Sequence, residues 1–232
     1  MIKVVVAEDY DPMRKAISEI IELYADLKLI GQVVNGFELL LYLNRTKILP
    51  DVIVIDVQMP LIDGLSVSNI LKEKYPEIAI LCISFNANNK LIEDLFDVGI
   101  KGFVAKSTLS RQVFYAAISA LKSGRQYLKI DDNPAQFTVP SNMIKNQLGI
   151  KLSSNERTFL QLSATTISYS EIAALMNIAE TTIYNYQKSL KEKLGLTNRH
   201  EFVLFALQYG IARVARYESS RNVNKSSCID NL

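Results

Sequence analysis

Along the first 124 residues, short apolar runs rich in β-branched residues alternate with stretches whose apolar positions recur every three or four residues. The runs Ile2 to Ala7, Leu27 to Val34, Val52 to Ile55, Ile78 to Ile83 and Gly102 to Ala105 read as strands. The stretches near residues 12 to 25, 36 to 45, 65 to 74, 88 to 98 and 110 to 122 read as helices. Strands that alternate with helices pair in parallel, because parallel neighbours need long crossovers. The pattern therefore predicts an α/β domain over residues 1 to 124, with five parallel strands and helices on both faces, and the order 2-1-3-4-5 is the one in which the residues at the strand ends converge.

The alternation lapses between residues 125 and 151, where Asp131-Asp132-Asn133-Pro134 and Val139-Pro140-Ser141-Asn142 mark a linker with one short helix near 141 to 147. From residue 152 the period is helical throughout. Apolar positions fall at Phe159, Leu160 and Leu162, at Ile172, Ala173 and Met176, at Ile183, Leu190 and Leu194, and at Phe202, Val203 and Leu207. A four-helix, all-α domain is expected over 152 to 217, followed by a polar, disordered tail over 218 to 232.

At 232 residues the chain can bury two separate cores, and 49% hydrophobic with 22% charged residues excludes a disordered class. No apolar stretch is long enough to span a membrane and no signal peptide is read, so a cytoplasmic protein without a membrane partner is expected. Two cysteines, Cys82 and Cys228, offer neither a disulfide framework nor a metal-ligand spacing. The net charge of +2 conceals an asymmetry. Residues 1 to 124 carry 13 basic and 15 acidic side chains, and residues 125 to 232 carry 13 and 9. The second half is the better candidate for a polyanionic partner.

Open parallel sheets bind ligands beyond the carboxyl ends of their strands. At those ends stand Glu8 and Asp9, then Asp56, Ser84 and Lys106. A carboxylate that attacks a phosphoryl group needs its neighbours to position and neutralise three equatorial oxygens. Glu8, Asp9, Asp56 and the backbone carbonyl of Gln58 form an oxygen set suited to Mg²⁺. Lys106 supplies a second cation, and the Ser84 hydroxyl a donor to the transferred group. Asp56 is the expected phosphoacceptor.

Glu8-Asp9, Asp56-Val57-Gln58-Met59-Pro60, Asp63-Gly64, Ser84, Gly99 to Phe103 and Lys106 together resemble the bacterial receiver domain, which is flavodoxin-like in fold. The resemblance covers residues 1 to 124. It implies a cognate histidine kinase as donor, an aspartyl-phosphate product, dependence on Mg²⁺, and a switch role for Phe103 coupled to Ser84. Phe85 departs from the family, which has a small residue after the hydroxyl position. An enzyme with its nucleophile after the first strand does not match, and His200 is the only histidine, which argues against a histidine kinase.

In the second half Ser168-Tyr169-Ser170-Glu171 has capping-box spacing, and Asn177-Ile178-Ala179 offers a tight turn before a helix from Glu180 to Leu194. Such a pair is a helix-turn-helix, whose second helix enters the major groove of double-stranded DNA. With Ile183, Leu190 and Leu194 as the buried stripe, the opposite face presents Thr181, Tyr184, Asn185, Lys188 and Lys191. Asn185 suits adenine and Lys188 suits guanine or phosphate. Lys193 and Arg199 are read as charges that contact the DNA backbone.

Residues 152 to 211 resemble the NarL/LuxR-type DNA-binding domain through Leu152-Ser153, Glu156-Arg157, Leu160, Ser168, Glu171-Ile172-Ala173, Ile178, Thr182-Ile183, Lys193 to Leu196 and Arg199 to Val203. The resemblance implies a transcription regulator, a homodimer formed through the receiver or the last helix, and two DNA half-sites. Thr166, Ala179, Tyr184 and Tyr186 depart from it, and the missing serine cap at Ala179 is worth about 1 kcal/mol. These departures keep an alternative open, an adaptor that binds a kinase or another protein and whose helix-turn-helix does not read DNA.

Overall fold

The computed structural model describes residues 1–85, 89–130 and 152–213. It contains β1 (Ile2–Ala7), α1 (Asp11–Glu22), β2 (Leu27–Val33), α2 (Gly36–Arg45), β3 (Val52–Asp56), α3 (Gly64–Lys74), β4 (Ala79–Ser84) and α4 (Asn89–Asp97). There follow β5 (Gly102–Ala105), a 3-10 turn (Lys106–Thr108), α5 (Arg111–Lys122), β6 (Tyr127–Lys129), α6 (Ser154–Ser163), α7 (Tyr169–Met176), α8 (Glu180–Leu194) and α9 (Arg199–Gln208). Among the described residues no helix is long and apolar enough to cross a membrane.

The strands pair in parallel in the order β2-β1-β3-β4-β5-β6. The expected order of the first five is present, and a sixth strand adds to it. Gly124, at φ +74, turns the chain after α5. The Tyr127 N–H then donates to the Lys101 carbonyl at 3.0 Å, and the chain pairs along β5. Residues 127 to 129, read from sequence as the start of a linker, thus belong to the sheet. Without β6, the backbone groups on that edge of β5 would be unpaired, and an extended tripeptide satisfies them. Three residues are too few to show a period. The helix near 141 to 147 and the tail over 218 to 232 lie outside the described residues.

Alternation along the strands divides the core between the two sheet faces. Val4, Val6, Val54, Leu81 and Val104 point to α1 and α5, where Ile17, Ile21, Phe114, Ala117, Ile118 and Leu121 meet them. Val5, Ala7, Ile53, Ile55, Ile80, Cys82 and Phe103 point the other way, into a cluster with residues of α2, α3 and α4. That second cluster continues into the C-terminal helices through Phe159, Leu160, Ile172, Ile183 and Phe202. All five residues of β3 are buried, which explains its uninterrupted apolar run before Asp56.

Side-chain caps start most helices. Asn35, Asp63, Ser110, Ser153, Ser168 and Asn198 each accept from a backbone N–H three residues on, with full capping boxes at α6 and α7. Asn177 ends α7 in the left-handed region at φ 56, and Ala179 opens α8 with no side-chain cap. The two halves meet where α6 packs on α3. Arg157 pairs with Asp63 at 2.6 Å, the Gln161 amide donates to the same carboxylate at 2.8 Å, and Asn69 donates to Asn155 at 2.9 Å.

Gly64 opens α3 against the end of β3, where any added Cβ would collide with the Asp56 carbonyl and crowd Val57. Gly64→Ala is therefore expected to destabilise the protein by about 2 kcal/mol, because backbone, not a flexible side chain, must move. Equilibrium denaturation in urea measures this, and a loss below about 0.5 kcal/mol would show that the loop yields freely.

Candidate functional site

Three strand ends deliver the chemistry. β1 ends before Glu8 and Asp9, β3 ends on Asp56, and Lys106 opens the turn after β5. Because β1 and β3 are neighbours, carboxylate oxygens of Glu8, Asp9 and Asp56 come within 4.8 Å of one another. The Lys106 ammonium lies 2.8 Å from Glu8 Oε2 and 2.9 Å from Asp56 Oδ2, with both pairs buried. The Gln58 N–H donates to Asp56 Oδ1 at 3.2 Å, which turns the following backbone around the acceptor. Ser84, on the last residue of β4, is buried, and so is Phe103 on β5.

Burial and the Asp56 charge raise the Glu8 carboxyl to about 7, although Lys106 pulls the other way. Burial, and then Asp56, likewise raise Asp9. Burial by itself would lower the Lys106 ammonium, but the Asp56 charge and the hydrogen bonds to Glu8 and Asp56 outweigh it and hold the group above its ordinary value. Three acids around one ammonium leave a surplus of negative charge in a site of hard oxygen donors. The oxygens of Glu8, Asp9 and Asp56 are a donor set that could hold a divalent cation of the Mg²⁺ kind. Phe85 is largely exposed, and the Lys106 ammonium lies 4.9 Å from its ring centroid, so an aromatic face shields one side of the ammonium.

On α8, Ile183 and Leu190 are buried, and Thr181, Tyr184, Asn185, Lys188 and Lys191 are exposed together on the opposite side. The polar face is thus free to meet a groove. Lys193 and Arg199 are differently placed. Lys193 lies 2.8 Å from the buried Glu156 carboxylate, which also accepts from Ser189 at 2.6 Å. Arg199 donates to the Ser163 and Thr165 carbonyls at 3.0 and 2.7 Å and stacks over the Tyr169 ring. A buried carboxylate requires a counter-cation, and the unpaired carbonyls at the end of α6 require donors. Both side chains are engaged inside the domain. Tyr186 is half-buried and tilts against Phe159.

Asp63, Arg157 and Gln161 join the halves, a part that no motif around Asp63 or Gln161 announces. Burial alone would raise the Asp63 carboxyl, yet the Arg157 guanidinium and the donors from Ser66 and Gln161 hold it below its ordinary value. A glutamine inside the apolar run Phe159-Leu160-Gln161-Leu162 is the signal available in the sequence, since a buried amide must have a partner.

Residues 4–118 match the model of the response regulator receiver domain, and residues 151–206 match that of the bacterial regulatory proteins of the luxR family. The transcriptional regulatory protein YdfI of Bacillus subtilis is 27% identical over 215 residues, which span 92% of this chain and 99% of the relative. The response regulator VraR of Staphylococcus aureus is 24% identical, over 90% of this chain and 98% of its own length. A structure of the Salmonella typhimurium response regulator RcsB shares the fold with a TM-score of 0.51 and 22% identity, covering 88% of this chain and 97% of that one. With both domain models matched in order and relatives aligned from end to end, the chain belongs to the response regulators that join a receiver domain to a LuxR-type DNA-binding domain.

Proposed function

We propose that Asp56 accepts a phosphoryl group from a cognate histidine kinase, in a pocket where Glu8, Asp9, Asp56 and the Gln58 carbonyl hold Mg²⁺, and that this controls binding of α8 to double-stranded DNA. The observation that carries the proposal is the convergence of the three carboxylates and Lys106 at adjacent strand ends. A carboxylate oxygen of Asp56 attacks phosphorus, the bond to the histidine nitrogen breaks, and its electron pair stays on the imidazole. Lys106, already 2.9 Å from Asp56, meets the negative charge that spreads over the phosphoryl oxygens, and Ser84 stands at the end of the neighbouring strand to donate a hydroxyl. When bound, the metal neutralises phosphoryl oxygens and orients them for in-line attack.

In α8, Asn185 is the candidate reader of adenine, Lys188 and Lys191 approach guanine or phosphate, and Thr181 and Tyr184 complete the contact face. RcsB has been seen as dimers bound to DNA. For this chain a homodimer is proposed through the receiver or through α9, whose Leu204 and Leu207 are exposed apolar residues.

Asp56→Asn is expected to abolish phosphate incorporation from a kinase or a small phosphodonor, read by mobility shift on phosphate-affinity gels. Undiminished labelling places the acceptor elsewhere. Lys188→Ala is expected to weaken duplex binding on the order of tenfold in fluorescence anisotropy at fixed salt. Wild-type affinity would mean that another face reads DNA. Because Glu8 titrates near 7, cation binding must displace its proton, so Mg²⁺ affinity is expected to fall as pH drops from 8 to 6. In metal-free protein the raised Glu8 value adds stability below pH 4.5 that is lost as pH rises through 7, whereas Asp63 and Glu156, held below their ordinary values, are already ionised in that window. Calorimetry without metal should therefore give a melting temperature that declines from pH 5 to 8, and a flat profile contradicts a burial cost at Glu8 that exceeds what Lys106 offsets.

A further inference from the structure

The helix sorts the run Tyr184-Asn185-Tyr186 of α8 into opposite settings. Tyr186 is half-buried, with its ring centroid 6.1 Å from that of Phe159. Two residues earlier, about 200° around the helix, Tyr184 stands on the solvent side. It is 67% exposed, more than any other large apolar side chain among the described residues except Met1. Among the described residues no hydrogen bond or ring contact engages it. The helical period places Thr181, Tyr184, Lys188 and Lys191 on one exposed stripe, with Asn185 alongside. Burying such a ring is worth free energy that the fold leaves uncollected.

What a ring gains on DNA is set by the groove it enters. The major groove offers donors and acceptors at every base pair and one apolar group, the C5 methyl of thymine. Asn185 and Lys188 bring the hydrogen-bonding groups of this face, and Tyr184 brings its apolar area. Thymine is therefore the base that matches it. Tyr184 also lies in the early part of α8, five positions in from Glu180, where the second helix of a helix-turn-helix meets base edges. The basic side chains nearby are partly committed elsewhere, since Lys193 is held by Glu156 and Arg199 by the Ser163 and Thr165 carbonyls.

We propose that Tyr184 determines sequence specificity by packing its aromatic ring on a thymine methyl in the major groove. This rests on the reading of α8 as the helix that meets DNA. The contact is apolar, so salt does not screen it, whereas the phosphate contacts of Lys188 and Lys191 weaken as salt rises. The ring carries the contact and the hydroxyl is left to water.

To test this, duplexes are selected by the full-length protein from a random pool, with and without a small phosphodonor. Thymine is then replaced by deoxyuridine at each position in turn, which removes the methyl and keeps the hydrogen-bonding edge. In fluorescence anisotropy the wild type is expected to lose about fourfold in affinity at one thymine position, the contribution of one buried methyl-sized group. Tyr184→Phe should keep that loss. Tyr184→Ala should bind the thymine duplex more weakly and be indifferent to the exchange, as a double-mutant cycle requires of a direct contact. Lys188→Ala should bind more weakly overall and keep the fourfold sensitivity. Added NaCl should weaken every complex and leave the thymine-to-deoxyuridine ratio unchanged. Each ratio is taken within one protein, so a partly unfolded variant still reports it. Equal affinity for the two bases at every position, a pool enriched in no sequence, or wild-type sensitivity in Tyr184→Ala overturns the inference and leaves duplex binding standing. So does a Tyr184→Phe protein that behaves like Tyr184→Ala, which assigns the contact to the hydroxyl. Failure to retain any duplex overturns the DNA reading itself.

Discussion

Three carboxylates at the mouth of a parallel sheet repel one another, and Lys106 makes their burial tolerable. Its ammonium reaches Glu8 and Asp56 at hydrogen-bonding distance from a third strand end, so the charge balance of the site depends on the order of β1, β3 and β5 around β4. The compensation is incomplete. One ammonium faces three acids, and the surplus appears as a Glu8 carboxyl raised to about 7 by burial and by Asp56. A site left short of positive charge favours the approach of a cation.

The same stretch of chain that bends around Asp56 also organises the contact between the halves. Gly64 lets α3 start close against the Asp56 carbonyl, and Asp63 divides its two oxygens between two tasks. Oδ1 caps α3 through the Ser66 N–H, and Oδ2 takes Arg157 and Gln161 from α6. Asp56 and the domain contact are therefore separated by one short loop. The continuous apolar cluster from the α2–α4 side of the sheet into α6–α9 adds area to that contact.

In the DNA-binding half, charge is used twice. Lys193 neutralises the buried Glu156, whose other partners are Ser189 and the Ser153 N–H, and Arg199 closes the carboxyl end of α6. These contacts hold α8 and α9 against α6 and leave Lys188 and Lys191 exposed on the side of α8 away from Ile183 and Leu190. The missing cap at Ala179 is offset by this packing, since most helical stability in a domain comes from tertiary contacts.

Periodicity along the chain determined the five strands, their helices and the helix-turn-helix, because a strand repeats every two residues and a helix every 3.6, and each period marks one apolar face. Acids, a hydroxyl and a lysine directly after those strands were legible as one site for the same reason, since an open sheet brings its strand ends together. Period alone shows which face of an element turns inward, but not what lies against it. The pairing of Tyr127–Lys129 with β5, the capture of Lys193 by Glu156 and of Arg199 by α6, and the joining of Asp63 to Arg157 and Gln161 across 94 and 98 positions were decided by tertiary structure. Each satisfies a backbone edge or a buried charge, and that demand exists only once distant segments have been brought together.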